Sequence, residues 1–511
     1  MQYFGTNLIL FTPIIIGLLN LLTPFISKED SNERSIFLFI ITIVFLLNVI
    51  LLDYLFLSGY TFHIKFFSFG IYSINFSTEG LGLVFLTLLA VLWLCSLLYT
   101  IKFLNINNMH DSNRFLFFMN ACIILGSLIA ISGNLFTMFC CYELLTLATM
   151  PLIVHFPNNN CFEGLRQYVK ILVISSLVLF LPAVLIIYEF VGHGDFMPGG
   201  FIGQYFDNFY AKILFLMLIF GCAKASMYPL HSWLPAAMVA PYPVSAILHA
   251  VVVVKTGLFC IYKIIMYVFG INYLHSLFAD NNWMLFLPII TIIYSSFKAI
   301  GYTNIKMVLA YSTINQLAIA LLSAFLFTPK GMIGAVLHMV SHSFTKICLF
   351  YTAGNMYSIK TAYRIDELIG LNKLMPKTSC VLLIAVFSLI GMPPLAGFVS
   401  KWYILLAAME ERNLFAISIL VISSIFSALY MTKLLVFVYK PVSNNFISDI
   451  KLKPYFDKIA DDYSRSTIIN SRLNTEKNLP HFMLLSIGLC TLGVVGFIFI
   501  QKVIRKFLLF I

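Results

Sequence analysis

Seven ionisable side chains stand where hydrocarbon is expected. Glu143 lies in FCCYELLTLATMPLI, Lys224 in MLIFGCAKASMYPLHSWLP, Lys255 in LHAVVVVKTGLF and Lys401 in GMPPLAGFVSKWYIL. His338, His342 and Lys346 follow at four-residue spacing in LHMVSHSFTKICLF, which puts them on one stripe of a helix. Together these residue types can take up and release protons. Burial disfavours a charged lysine and a nearby carboxylate favours it, so a lysine between the two changes protonation when its partner moves. Glu143 and Lys224 are the natural pair: opposite in sign and both central in their segments. Left uncompensated, the lysines and the glutamate would cost about 10–15 kcal/mol on insertion scales. Pairing and water must relieve most of that.

Plainer readings exist for each. A lysine near a helix end extends to the interface; this is the reading for Lys170, Lys263 and Lys433, with Glu189 and Asp53 beside them. A single buried lysine can be half of a structural ion pair, and a lone buried His is more often a hydrogen-bonded core residue than a proton carrier. The His-x3-His-x3-Lys stripe could hold a metal, but it brings no acidic ligand, so no metal site is expected. The whole set is what favours a relay.

Two of the lysines sit at helix breaks. Pro229 follows Lys224, and Pro393-Pro394 precedes Lys401. A broken helix frees backbone groups that water or an ion must satisfy. Transporter sites use such breaks at matching places in two repeats.

The elements that must position these residues are membrane helices. The chain has 511 residues, 60% hydrophobic and 10% charged, with a mean hydropathy of +0.94. Apolar runs of helix length recur throughout, so an all-α polytopic membrane protein is expected and a transmembrane barrel is excluded. About fourteen segments are expected from length and flanking polarity. They fall near 7–26, 35–57, 80–103, 114–132, 135–155, 164–190, 210–232, 242–269, 283–300, 304–328, 330–356, 378–408, 412–439 and 480–508. The breaks in 210–232 and 378–408 are five segments apart. That predicts two inverted five-helix repeats, 114–269 and 283–439, after an N-terminal unit 1–113. A polar loop, 440–479, with room for an amphipathic surface helix, precedes a last helix in 480–511.

Loop charge orients the bundle. Lys28, Arg34, Arg166, Lys170, Lys360, Arg364, Lys373 and Lys377 fall on the same side as the 440–479 loop, which makes that side cytoplasm or matrix and puts both termini outside. The net charge of +11 therefore sets topology and does not point to nucleic acid. The start, MQYFGTNLIL, lacks a basic n-region and a cleavage site, so it is expected to be a retained helix. The 10 cysteines form no CxxC and lie mostly in apolar runs. No Gly-rich phosphate loop occurs. Neither a redox cofactor nor a nucleotide is expected.

The stretch AKASMYPLHSWLPAAMVAPYPVSAILHAVVVVKTGLF resembles the seventh and eighth helices of the proton-conducting antiporter-like subunits. These are subunits L, M and N of bacterial NADH–quinone oxidoreductase (complex I) and subunits A and D of Mrp-type cation/proton antiporters. NIKMVLAYSTINQ, HMVSHSFTKICLFYTAG and GMPPLAGFVSKWYIL match further family segments in order, so the resemblance covers roughly 80–435. It implies a fourteen-helix core, inverted repeats, discontinuous helices 7 and 12, and a file of charges and water along the membrane. It also implies that Glu143 is the family carboxylate, Lys224 its partner, and Lys255 the bridging lysine. His338, His342 and Lys346 become the relay of helix 11, and Lys401 the terminal lysine.

Departures narrow the choice. Lys401 disfavours subunit M, where glutamate is usual. The absence of a long lateral helix after residue 511 disfavours subunits L and A. LPAAMVAPYPVSAILHAVVVVKTG looks closest to D-type chains. Asn304 and Met307 depart from the family's Asp-x-Lys-Arg pattern, so no role is assigned to Lys306. Three functions follow. The first is a proton-translocating subunit of a multisubunit Na+/H+ antiporter in the bacterial inner membrane, among other membrane subunits and lipid. The second is a proton-pumping arm of complex I, part of an enzyme yet without its own redox centre. The third is a scaffold that kept the fold, which the retained charges argue against.

Overall fold

The computed structural model describes residues 15–19, 21, 32–107, 109, 111–155, 159–441, 476 and 479–508. Only residues 15–19 and 21 of the expected first segment fall among these, and most of the 440–479 loop with its expected surface helix lies outside them.

Among the described residues, ten helices are long and apolar enough to cross a membrane. They coincide with the expected segments apart from the first, the two broken ones and the last. In chain order the elements that matter are α1 (Asn32–Leu57), the strands β1 (His63–Phe69) and β2 (Tyr72–Ser77), α2 (Gly80–Ile106), α3 (Ser112–Ala130) and α4 (Leu135–Ile153). Then come α5 (Cys161–Val191), the short α6 (Asn208–Gly221), α7 (Tyr242–Phe269), α8 (Trp283–Gly301) and α9 (Ile305–Ala324). The chain continues through α10 (Pro329–Lys360), α11 (Pro376–Ile390), α12 (Ala396–Glu410), α13 (Leu414–Tyr439), α14 (His481–Val495) and α15 (Phe497–Leu508).

Local chemistry starts several of these helices. Asn134, Thr328 and Asn413 accept bonds from the backbone N–H of Thr137, Gly331 and Ala416, at 2.8, 3.0 and 3.0 Å. The N-terminus of α11 is capped from far along the chain. Glu476 accepts from the N–H of Lys377 and Thr378 (2.9 and 2.6 Å) and from the Thr378 hydroxyl (2.7 Å).

Burial sorts the helices. The most apolar stretch of α7 is 100% buried and that of α10 94%, whereas α1 and α13 leave most of theirs open to lipid (33% and 39% buried). A helix that is apolar all round belongs in the middle of a bundle. These two central helices also carry Lys255, His338, His342 and Lys346, all buried. α10 packs against α9, α11, α12 and α14.

Three features differ from expectation. The loop between α1 and α2 is an antiparallel hairpin, pairing His63 with Ser77 and Phe69 with Tyr72 around Gly70 at φ +59°. Its second strand is fastened to the turn after α3, where Ser77 N–H donates to Ile131 O and Gly133 N–H to Asn75 O, both at 2.8 Å. The last segment is not one straight helix: α14 and α15 meet at 68°. α15 puts Gln501, Lys502, Arg505 and Lys506 on one face, which suits a helix lying at the interface. Finally, Lys263 does not reach the interface. It is fully buried and ion-paired to Glu79 at 3.2 Å. The hairpin and the turn after α3 close over what would be a helix end. Lys170 and Glu189 are exposed as expected, whereas Asp53 is half-buried and accepts from Thr87 (2.6 Å).

Candidate functional site

α6 stops at Gly221, and Lys224 sits in a single tight turn, Ala223–Ala225, beyond it. Ser226 then takes φ +56° and the Tyr228–Pro229 peptide is cis. The carbonyl of Ala223 accepts from the Ser226 N–H at 2.9 Å and from Trp233 Nε1 at 3.0 Å. Room for this turn comes from Gly257 of α7. A Cβ there would lie 2.3 Å from Ala225 N and 2.5 Å from the Lys224 carbonyl carbon.

Lys224 is enclosed by Tyr142 of α4. Its ammonium donates to the Tyr142 carbonyl and lies 3.4 Å from the centre of the Tyr142 ring. Its backbone N–H donates to the Tyr142 hydroxyl at 3.1 Å. Glu143 is the next residue, half-buried, with a buried Oε1 that has no hydrogen-bond partner among the described residues. The expected pair is therefore brought to the same place but not into direct contact. The helix carbonyl takes the place of the carboxylate as acceptor.

The second cluster lies between α7, α10 and α12. Lys255 Nζ is hydrogen-bonded to His342 Nδ1. The rings of His342 and His338 are near parallel, with centres 6.2 Å apart. His338 Nδ1 is 3.0 Å from the hydroxyl of Ser400, which also accepts from Ser341 at 3.0 Å. Ser400 immediately precedes Lys401. Lys346 donates to the Leu309 carbonyl at 2.9 Å and to the Ser312 hydroxyl.

The second break resembles the first. α11 ends at Ile390, Gly391 takes φ +99°, and the Pro393–Pro394 peptide is cis before α12 begins. Lys401 reaches back to the carbonyls of Leu389 and Ile390, at 3.1 and 2.8 Å, and to Ser424 at 3.2 Å. It thus caps the end of α11 with its ammonium. Any side chain at Gly391 would press on Lys401, whose Cδ is 3.0 Å from the Cβ position.

Each proposed lysine is buried, and three of the four donate to backbone carbonyls. All seven residues singled out in the sequence fall in or beside these clusters. Sequence reading missed four contributors. Tyr142 and Gly257 have no ionisable signal. Ser400 looks like an ordinary small residue. His249, hidden in a valine run, lies in a π turn (Ile247–Val251), fully buried with neither ring nitrogen bonded.

Two broken helices, each with a buried lysine at its break, and the polar clusters beside them define a polytopic membrane protein with a charged interior. The family described as NADH:quinone oxidoreductase/Mrp antiporter, TM, matches residues 132–427, and the chain belongs to it. The chain is 27% identical over 399 residues to mnhA2, named as a candidate antiporter subunit, of Staphylococcus aureus strain MSSA476. That alignment covers 71% of this chain and 48% of the relative. For the same protein of strain JH9 the identity is 28%. The chain spans about half the length of the curated relatives it matches (48%). These relatives carry the A2 name, whereas the motifs lean to a D-type chain. The fold matches a chain of the Mrp complex from Dietzia sp. DQ12-45-1b, with a TM-score of 0.78 at 18% identity, over 98% of this chain and 97% of that one.

Proposed function

We propose that the chain translocates protons as one membrane subunit of a multisubunit Na+/H+ antiporter in a bacterial inner membrane. The observation that carries this reading is the series Lys255–His342–His338–Ser400, with Lys401 next in the chain. It sets protonatable groups in line from α7 across α10 to α12, with a 6.2 Å step between the His342 and His338 ring centres for water to bridge. Glu143 and Lys224 stand at one end of the file, Lys401 at the other, and Lys346 beside the middle. Segments 114–269 and 283–439 act as two inverted repeats, each supplying one broken helix. The relatives are named as antiporter subunits, and the solved structure as an Mrp complex, which favours an antiporter with other subunits as partners. The family also embraces complex I subunits, and copurification in mild detergent separates the two. Small membrane partners support the antiporter, and iron–sulfur partners the respiratory arm.

The direct test is cation-driven proton flux in inside-out membrane vesicles. Glu143→Gln and Lys224→Ala should each lower flux at least tenfold with the protein still in the membrane. Wild-type flux in both would overturn the relay.

A further inference from the structure

Lys263 belongs to no part of the file just described, yet it is firmly held in the interior. It lies two turns beyond Lys255 on α7, a rise of about 12 Å. Its ammonium pairs with Glu79 at 3.2 Å, donates to the Ser132 carbonyl, and lies 4.3 Å from the centre of the Phe196 ring. Lys263 is 0% exposed, while the Glu79 side chain is 15% exposed, so the pair has one fully buried end and one that reaches the protein surface. Glu79 stands at the N-cap of α2 but does not cap it. Its carboxylate turns to Lys263 and accepts from Ser77 at 3.2 Å.

Between the two lysines, on the same four-residue stripe, is Phe259. It stacks on Phe85 of α2 with ring centres 4.7 Å apart, and both are fully buried. Lys263 Nζ is 5.6 Å from the centre of the Phe259 ring. One aromatic layer therefore separates the pair from Lys255. Protons do not cross a dry aromatic layer, but they cross it once water enters.

We infer that Glu79 and Lys263 form a proton port joining the central file to the surface under the hairpin, with the Phe85–Phe259 stack as its gate. The inference rests on the proposed proton translocation and gives it a route to one side of the membrane. The Glu79 carboxylate exchanges with bulk water, Lys263 carries the proton inward or outward, and hydration of the stack connects it to Lys255. The plainer alternative is a structural clamp that holds the hairpin down.

Arginine separates the two roles, because it keeps the charge and the ion pair but does not release its proton. The experiment measures cation-driven proton flux, and proton leak without cation, in inside-out vesicles from cells making the full chain with its partners. Lys263→Arg should reach normal abundance and lose at least tenfold in flux, and Glu79→Gln should lose as much. Phe259→Ala should raise the cation-independent leak severalfold. Wild-type flux in Lys263→Arg, with Lys224→Ala inactive, would overturn the port and leave the central file standing. Wild-type flux in Lys224→Ala as well would overturn the file itself, and the port with it. If Lys263→Arg fails to accumulate, Phe259→Ala decides: no added leak overturns the gate.

Discussion

Gly257→Ala tests whether the position of Lys224, rather than its mere presence, is what the fold protects. The added Cβ would sit 2.3 Å from Ala225 N, 2.5 Å from the Lys224 carbonyl carbon and 2.9 Å from Lys224 Cβ. Ordinary contact begins near 3.4 Å, so the backbone carrying Lys224 must retreat by about 1.1 Å (3.4 less 2.3). Two of the three atoms are backbone and cannot rotate away. Overpacking of this kind costs about 1–3 kcal/mol, and the alanine returns about 1 kcal/mol of helix propensity. The net loss of stability is then about 0–2 kcal/mol, which leaves the protein folded in the membrane. The bond from Lys224 to the Tyr142 carbonyl does not survive a shift of that size, since hydrogen bonds fail within a few tenths of an ångström of their limit. Under the proposed relay, cation-driven proton flux in inside-out vesicles falls at least tenfold at unchanged abundance. Gly488→Ala is the control, because nothing lies within 4 Å of a Cβ there. Flux in Gly257→Ala above half the wild-type rate would refute the reasoning.

Other substitutions separate positioning from support. Ser400→Ala removes the hydroxyl between His338 and Ser341 without opening a void, and it should cut flux several-fold while leaving thermal stability unchanged; equal flux would take Ser400 out of the route. Glu476→Ala uncaps α11 and should cost about 1–2 kcal/mol, read as a lower melting temperature of the purified chain, with little change in flux per molecule. Lys433→Ala should be nearly silent in flux. Its ammonium makes only 3.4 Å contacts to the carbonyls of Ile300 and Tyr302, so a large transport defect would mean that its role has been misread.

Hydropathy located the long helices well, because lipid and interior both demand apolar runs and only their length needs counting. The two breaks were legible too: a proline beside a lysine inside an apolar run is poorly accommodated by an unbroken membrane helix. What the sequence hid was everything supplied by distant backbone. Lys263 sits near the end of a long apolar run, where snorkelling is the usual outcome. Only the hairpin 63–77 and the turn around Ser132 turn that end into an interior. The hairpin itself is short and lies between two strong helical signals. The partner of Lys224 was sought among carboxylates and found in a carbonyl, a group every residue carries and no composition reveals.

That substitution of carbonyl for carboxylate bears on how the file works. A lysine tied to a buried carboxylate leaves an uncompensated charge behind when it loses its proton, and such a charge is expensive away from water. A lysine that donates to a neutral acceptor leaves none. Lys224, Lys346 and Lys401 each donate to carbonyls. For Lys401 these are carbonyls at the end of α11, where the helix dipole favours a cation. Under the proposed relay, the charged form is held by partial charges that do not move, and the neutral form strands no partner. The protonation state can then follow whatever enters the neighbouring site, whether a proton on His342 or a cation near Glu143. Lys224 and Lys346 share carbonyls that lie inside the unbroken helices α4 and α9, those of Tyr142 and Leu309, whereas Lys401 takes carbonyls that the break after α11 leaves at a helix end. Under the proposed relay, Pro393, Pro394 and Gly391 serve the file alongside Lys401, because the break they mark offers it the carbonyls of Leu389 and Ile390.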